Sequence, residues 1–230
     1  MRTHAILQAR MNSRRLPGKV LTNLGNQPIV EIILESLSDV FAPDCIFVVT
    51  STLSSDDILA ETLLRKKYQV RRGSLENVFS RFQEIQKSTP SDLVCRFTAD
   101  NPFIDRDFVR AAVKTAQDAF AEQNLVLVHS RNSNVPIGMG VEIFSSQLLL
   151  QPESKLIDYD LEHVTSWMYE SAVVKKVEFP NVPCGPEGNI RLTVDTVEDF
   201  ANAENFQDWL AGRLPTLTLA NEWHSSLELT

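Results

Sequence analysis

Arg10, Arg14, Arg15 and Lys19 place four cations within ten consecutive positions, interleaved with the loop formers Asn12, Ser13, Pro17 and Gly18. The first 30 residues carry five basic side chains and no carboxylate. Like charges this close repel unless an anion or a tertiary partner offsets them. On spacing alone two readings stay open: a solvated basic turn, or a loop whose cations and backbone N–H groups hold phosphate oxygens. Two carboxylates stand in comparable places further on, Asp100 in "CRFTADNPFID" and Asp195 in "RLTVDTVED", each just past a strand-like run. Two carboxylates and a basic loop at one edge suit Mg2+-dependent phosphoryl chemistry. Mg2+ takes one or two carboxylates, several waters and the substrate's own phosphate oxygens. Each Asp also has a plainer reading as a turn former or cap. Asp199, three residues after Thr196, reads as the partner in a capping box rather than as a catalytic group.

These residues need elements to bring them together. "HAILQA" (4–9), "CIFVVT" (45–50), a short stretch around Val70, "DLVCRFT" (92–98) and "LVLVH" (125–129) read as strands. Between them, 28–40, 54–67, 75–87 and 106–120 carry apolar residues at helical spacing, with Pro28 in a first turn and Asp105 as an N-cap. Such alternation argues for a parallel α/β sheet. After residue 130 the pattern loosens: strands are expected at 138–144, 172–179 and 189–195, and helices at 158–170 and 197–210. Ligands of an open α/β sheet sit beyond the carboxyl ends of its strands, where the basic loop, Asp100 and Asp195 all fall.

Composition narrows the classes. The 230 residues are 43% hydrophobic with a formal net charge of −8, enough for one domain with a proper core. Residues 31–230 hold 17 basic against 30 acidic side chains. Such an acidic body argues against a general nucleic-acid binder, whereas a small basic island suits a compact polyanion. Cys45, Cys95 and Cys184 show no metal spacing. Cys45 and Cys95 read as buried free thiols. No apolar run approaches a membrane span, and charge begins at Arg2 without a leader-like apolar stretch. The expected setting is a reducing cytoplasm.

Five motifs then carry a family resemblance. "LQARMNSRRLPGKVL" resembles the amino-terminal "ARxxSxRLPGK" pattern of CMP-KDO synthetases, cytidylyltransferases that activate sugar acids. The whole run is similar to the spore-coat polysaccharide biosynthesis F-type branch, with Gln8–Lys19, Arg72–Phe82, Thr98–Asp105, Glu162–Thr165 and Arg191–Asp199 in family order. The resemblance implies a Rossmann-like α/β nucleotide-diphospho-sugar transferase sandwich with a mixed central sheet. It implies one nucleotidyltransferase domain: 1–130 for the nucleotide, 131–188 for the acceptor and a dimer contact, and 189–230 returning to the core with the second metal Asp. Arg10, Ser13 and Lys19 would hold the triphosphate of CTP, beside Gln8 and Arg15. Ala9 would leave room for the base, while Arg72 and Arg81 fall where base and ribose are read. Asp100 and Asp195 match the Mg2+ positions, and Arg10, Lys19 and Asp100 the catalytic ones. Where the broader nucleotidyltransferases have a Gly-rich turn, this loop has Ala-Arg-Met-Asn-Ser, which shifts phosphate contacts toward side chains.

The acceptor side is thinner. Glu142 follows the "GMG" turn, and Glu162 and His163 stand in "LEHVT". His163 reads either as a sugar contact or base, or as a packed helix residue. His4, His129 and His224 read as structural, Phe79 and Phe82 as core, and Trp167, Trp209 and Trp223 as packing. The expected reaction moves CMP from CTP to a sugar or sugar-acid hydroxyl with release of pyrophosphate, in a homodimer without nucleic-acid or membrane partners. The alternatives are a glycosyltransferase of the same fold that uses a nucleotide-sugar, and a non-catalytic nucleotide binder.

Overall fold

Strands form where β-branched and aromatic residues run together between loop formers. The computed structural model describes residues 1–131, 134–179 and 190–227. Its strands are β1 (Thr3–Gln8), the short β2 (Asn23–Leu24) and β3 (Gln27–Pro28), β4 (Ile46–Ser51), β5 (Gln69–Gly73), β6 (Leu93–Thr98), β7 (Val126–His129), β8 (Glu142–Ser145) and β9 (Lys175–Glu178). Its α-helices are α1 (Ile29–Ser38), α2 (Asp57–Arg65), α3 (Val78–Ser88), α4 (Arg106–Glu122), α5 (Asp158–His163), α6 (Ser166–Glu170), α7 (Val197–Leu210) and α8 (Leu217–Leu227). None of them is long and apolar enough to cross a membrane.

Seven strands make one sheet in the order β5-β4-β1-β6-β8-β7-β9, with β2 and β3 forming a separate hairpin. The chain runs outward from β1 through β4 to β5, all parallel, then crosses back to β6 on the other side of β1. That reversal opens a crevice between the carboxyl ends of β1 and β6. The loops after these two strands carry Arg10–Lys19 and Asp100.

Side chains alternate along each strand, so the sheet buries both faces. Ala5 and Leu7 join a core with α1, α2, α4, α7 and α8, whereas Ile6, Phe47 and Val49 join a second core with α3 and α6. Phe79 and Phe82 are fully buried in that second core. Asp105 caps α4 through the N–H groups of Asp107 and Phe108, and its other oxygen accepts from Leu217 N at 2.9 Å, pinning the start of α8. Thr196 and Asp199 form a reciprocal capping box on α7.

β8 runs antiparallel to both β6 and β7, so the central sheet is mixed, as the family resemblance implies. Other expectations need correction. The strand expected over 189–195 reduces, in its described part, to an isolated bridge between Ile137 and Arg191. Its backbone groups go to the 137 region and to Asp100 O instead of to a neighbouring strand. Gly138, at φ +101°, permits this close approach, because a Cβ there would lie 2.7 Å from Thr193 N. The helix expected over 158–170 breaks between α5 and α6. The strand expected over 138–144 begins only at Glu142. Cys45 ends a short 3-10 turn and is half-buried, unlike the fully buried Cys95. Cys184 lies outside the described residues. The β2–β3 hairpin and α8 were not anticipated.

His4 shares the face of Ile6, is fully buried, and packs its ring 4.9 Å from that of Phe47. Neither ring nitrogen has a hydrogen-bond partner among the described residues. Burial, aided by the Arg2 charge, lowers its pKa from 6.5 to about 4. The unfolded chain therefore binds more protons than the fold between these values. Stability is complete above pH 6.5 and falls as pH drops toward about 4. The loss amounts to about 3 kcal/mol. His4→Leu is expected to remove this part of the acid loss, read from urea-unfolding midpoints at neutral and mildly acid pH.

Candidate active site

The basic loop is fixed at both ends before any ligand arrives. At its start, Met11 N donates to Asp56 Oδ1 at 2.7 Å. Asp56 is 1% exposed and also accepts from Thr50 Oγ1, Ser51 N and Ser51 Oγ. Burial by itself would raise the Asp56 pKa, but donors from Ser51, Met11 and Thr50 favour the carboxylate and hold it below its ordinary range. Within the loop, Leu16 N donates to Ser13 Oγ and Gly18 N to Met11 O; Gly18 sits at φ +75°, a conformation that favours glycine. At the far end, Lys19 turns inward and is 7% exposed.

Lys19 gathers the candidate metal carboxylates. Its Nζ donates to Val194 O at 2.6 Å and to Asp195 Oδ1 at 3.0 Å, and lies 3.9 Å from Asp100 Oδ2. Asp100 Oδ1 accepts from Thr98 Oγ1. Asp195 Oδ2 meets Arg15 Nη2 at 3.0 Å and Arg191 Nη2 at 3.1 Å. Arg191 continues to Asp199, 2.8 Å away, which keeps that carboxyl below its usual range. Arg10 reaches Glu162 at 3.6 Å, and Arg14 is exposed. The repulsion within the loop is thus offset by acids distant in sequence, with Asp195 and Glu162 more than 100 residues from their loop partners.

Among the described residues no group of three or more His, Cys, Asp or Glu is placed to hold a metal. Two oxygen donors without thiol or imidazole nevertheless fit a hard divalent cation that draws its other ligands from water and a phosphate substrate.

Arg72 and Arg81 lie beside the loop with their donors engaged. Arg72 donates to Ser51 O and Leu53 O and pairs with Asp57. Arg81, 1% exposed, donates to Ser74 O and Leu75 O, and burial lowers its pKa to about 10. Both guanidinium groups hold the backbone walls that follow β4 and β5. Ala9 is 2% exposed, and Gln8 Oε1 accepts weakly from Arg96 at 3.4 Å.

A cavity of about 330 Å³ opens beside Asp100, with Arg96, Thr98, Arg131, Glu142 and Tyr169 in its polar wall and apolar residues from 103–109 and 135–141 opposite. The β6–β8 register sets Glu142 opposite Arg96, whose Nη1 lies 2.7 Å from Glu142 Oε2. Tyr169 OH donates to Oε1 at 2.8 Å and Thr165 Oγ1 to Oε2 at 3.1 Å. Burial opposes ionisation of Glu142, yet Arg96 and the two hydroxyls overcome it and hold the carboxyl below its ordinary range. The Arg131 guanidinium lies 4.8 Å from the Tyr169 ring centroid. His163 does not line this cavity; its ring packs 4.2 Å from that of Tyr159.

Sequence reasoning missed Asp56, Arg96, Arg191, Thr165 and Tyr169. For Arg96 a signal existed, since a lone cation inside an apolar strand needs a partner.

A mixed α/β sheet with a basic loop after its first strand, and two carboxylates meeting it at the switch point, defines a nucleotide-binding transferase of the Rossmann-like type. The chain belongs to the cytidylyltransferase family, whose model matches residues 4–211, and it is a nucleotidyltransferase. It is 31% identical over 204 residues to the spore coat polysaccharide biosynthesis protein SpsF of Bacillus subtilis, covering 85% of this chain and 82% of that one. It is 27% identical over 122 residues to the 3-deoxy-manno-octulosonate cytidylyltransferase of Christiangramia forsetii, covering 52% and 47%. A cytidylyltransferase from Leptospira borgpetersenii superposes with a TM-score of 0.86 at 26% identity, over 99% of this chain and 95% of that one.

Asp56→Ala would strand the Met11 and Ser51 N–H groups. It is expected to lower stability by about 2–4 kcal/mol. Amide exchange at Met11 should accelerate beyond that global loss.

Proposed function

We propose that the protein is a cytidylyltransferase that moves CMP from CTP to a hydroxyl of a sugar acid, with release of pyrophosphate, in polysaccharide or surface-glycan biosynthesis. The observation that carries this is the buried Lys19 ammonium, within 4 Å of both Asp100 and Asp195 beside the basic loop. The names of two relatives support the reaction class and setting: one is a 3-deoxy-manno-octulosonate cytidylyltransferase, the other a spore coat polysaccharide biosynthesis protein. A CMP-KDO synthetase solved with CTP shares the fold at a TM-score of 0.64 and 13% identity.

In this reading residues 1–130 serve the nucleotide, 131–188 the acceptor, and 189–230 return Asp195 to the core. Arg10, Ser13, Arg15 and Lys19 receive the triphosphate, exchanging their present carboxylate and backbone partners for phosphate oxygens. Gln8 and Ala9 floor the nucleoside site, and Arg72 and Arg81 hold its walls. Asp100 and Asp195 hold Mg2+, which when bound supplies charge neutralisation at the α-phosphate. The acceptor occupies the cavity at Glu142, with Glu162 and His163 at its approach. Its hydroxyl oxygen bonds to the α-phosphorus, and the bond to the bridging oxygen breaks. That oxygen leaves with pyrophosphate, and the hydroxyl proton passes to solvent. Lys19 and Arg15 offset charge growing on the leaving group. A cytoplasmic homodimer completes the reading; exposed Leu150, Ile157 and Tyr159 offer apolar surface for a contact.

The test is turnover with CTP, Mg2+ and a panel of sugar acids that starts with 3-deoxy-manno-octulosonate. Pyrophosphate and a CMP-sugar acid are the expected products; nucleoside diphosphate released from a nucleotide-sugar instead would overturn the proposal. Lys19→Met is expected to lower kcat by about 10²–10³. Asp100→Asn should lose turnover while keeping its fold, checked by circular dichroism.

A further inference from the structure

The break between α5 and α6 is strained. Val164 adopts φ +61° and ψ −53°, and Thr165 N donates to His163 O at 2.6 Å across it. This is a γ-turn with positive central φ, a rare and strained form. Among the described residues the other non-glycine positions at positive φ, Lys67 and Ala211, close helices α2 and α7. A β-branched residue pays heavily for this region because its Cβ crowds the following carbonyl. Val164 is nevertheless fully buried in the core that contains Phe79, Phe82 and Met168, which holds the turn in place. Asp160 braces both sides. Its carbonyl accepts from Val164 N, and its carboxylate accepts from Ser166 Oγ at 2.5 Å and Ile157 N at 3.3 Å.

The consequence is directional. In an unbroken helix Glu162, Thr165 and Tyr169, at i, i+3 and i+7, would line one face. The turn instead sends Glu162 to Arg10 of the basic loop, while Thr165 and Tyr169 each donate to a different oxygen of Glu142. The Thr165 hydroxyl lies 3.1 Å from the Glu142 carboxylate and 3.3 Å from His163 O. The charged acceptor is the stronger partner. Strain held by surrounding packing clusters at functional sites.

We infer that the His163–Val164–Thr165 turn is a strained positioning device: Val164 and Thr165 act as positioning residues that fix the Glu142 carboxylate in the cavity beside Asp100. Its role in the reaction rests on reading that cavity as the acceptor subsite. Neither residue needs to touch the nucleotide, so their effect falls on the acceptor.

The experiment has three arms on the full chain. First, urea unfolding compares Val164→Gly with Val164→Ala. Both lose the buried side chain, but only glycine accepts the positive φ freely. Glycine is expected to be the more stable; the reverse order overturns the strain. Second, carbon-13 NMR follows the Glu142 carboxyl during a pH titration. The groups facing it are Arg96 and the Cys95 thiol from β6, His129 from β7, Arg131 just beyond, and Tyr169 from α6. Thr165→Val and Val164→Ala, whose Cβ resists the positive φ once the packing of the valine is lost, are each expected to raise the midpoint by about one unit. Thr165→Ser and Val164→Gly, which keep the hydroxyl and the turn, should stay near the unsubstituted protein, and an unchanged midpoint in both Thr165→Val and Val164→Ala overturns the positioning role.

Third, with whichever sugar acid the unsubstituted enzyme turns over, Thr165→Val is expected to raise the acceptor KM about tenfold, with CTP KM within about twofold and rescue by Thr165→Ser. Equal rises in both KM values overturn the assignment. If no sugar acid is turned over, the functional proposal fails, while the first two arms still decide the turn.

Discussion

The Lys19 ammonium is the interaction on which the site depends. Taking it out of water is tolerable only if its protons are satisfied. Val194 O and Asp195 Oδ1 do this directly, and Asp100 adds a near charge. Residues 190–195 belong to no strand, and their sheet-like pairing is one isolated bridge between Ile137 and Arg191. They are fixed by Lys19, by Val194 N on Asp100 O and by Thr193 Oγ1 on the same carbonyl. One buried cation therefore welds the loop after β1, the loop after β6 and the C-terminal return into a single surface.

Most cations of that surface face carboxylates. Arg15 and Arg191 share Asp195, and Arg10 meets Glu162. A bound triphosphate would exchange partners more than create them. The exposed pairs contribute little to stability, about 0–1 kcal/mol each. Arginines held this way are already oriented, which reduces the ordering a polyanion would otherwise impose. Asp56 serves the same end from below, anchoring Met11 so that the cations start from a fixed backbone.

The two sides of the site are built by different means. The nucleotide side is loop on parallel strands, where cations protrude past the sheet edge. The cavity side depends on β8 entering antiparallel, which puts Glu142 against Arg96 at the end of their ladder. A half-buried carboxylate there gains from having both oxygens satisfied, and the broken α5–α6 segment supplies the remaining two donors. Glu162 on α5 touches the basic loop, so this one segment contacts both sides.

What the sequence by itself determined was local. The basic loop, the strand-end position of Asp100, the Asp105 cap and the Thr196–Asp199 box were legible because each rests on neighbours one to four residues apart. Family membership was legible because five motifs keep their order. Most helices and strands followed from apolar periodicity, which is a property of short windows. The tertiary structure alone decided which acids neutralise the loop, because Asp195 and Glu162 stand more than 100 residues from their partners. It decided that β8 is antiparallel and pairs Glu142 with Arg96, since register depends on strands that are distant in sequence. It decided that 158–170 breaks at Val164. The β-branched pair Val164–Thr165 only weakly disfavours a helix. Burial of Val164 and the demand of Glu142 for hydrogen bonds select the turn, and neither exists until the chain has folded.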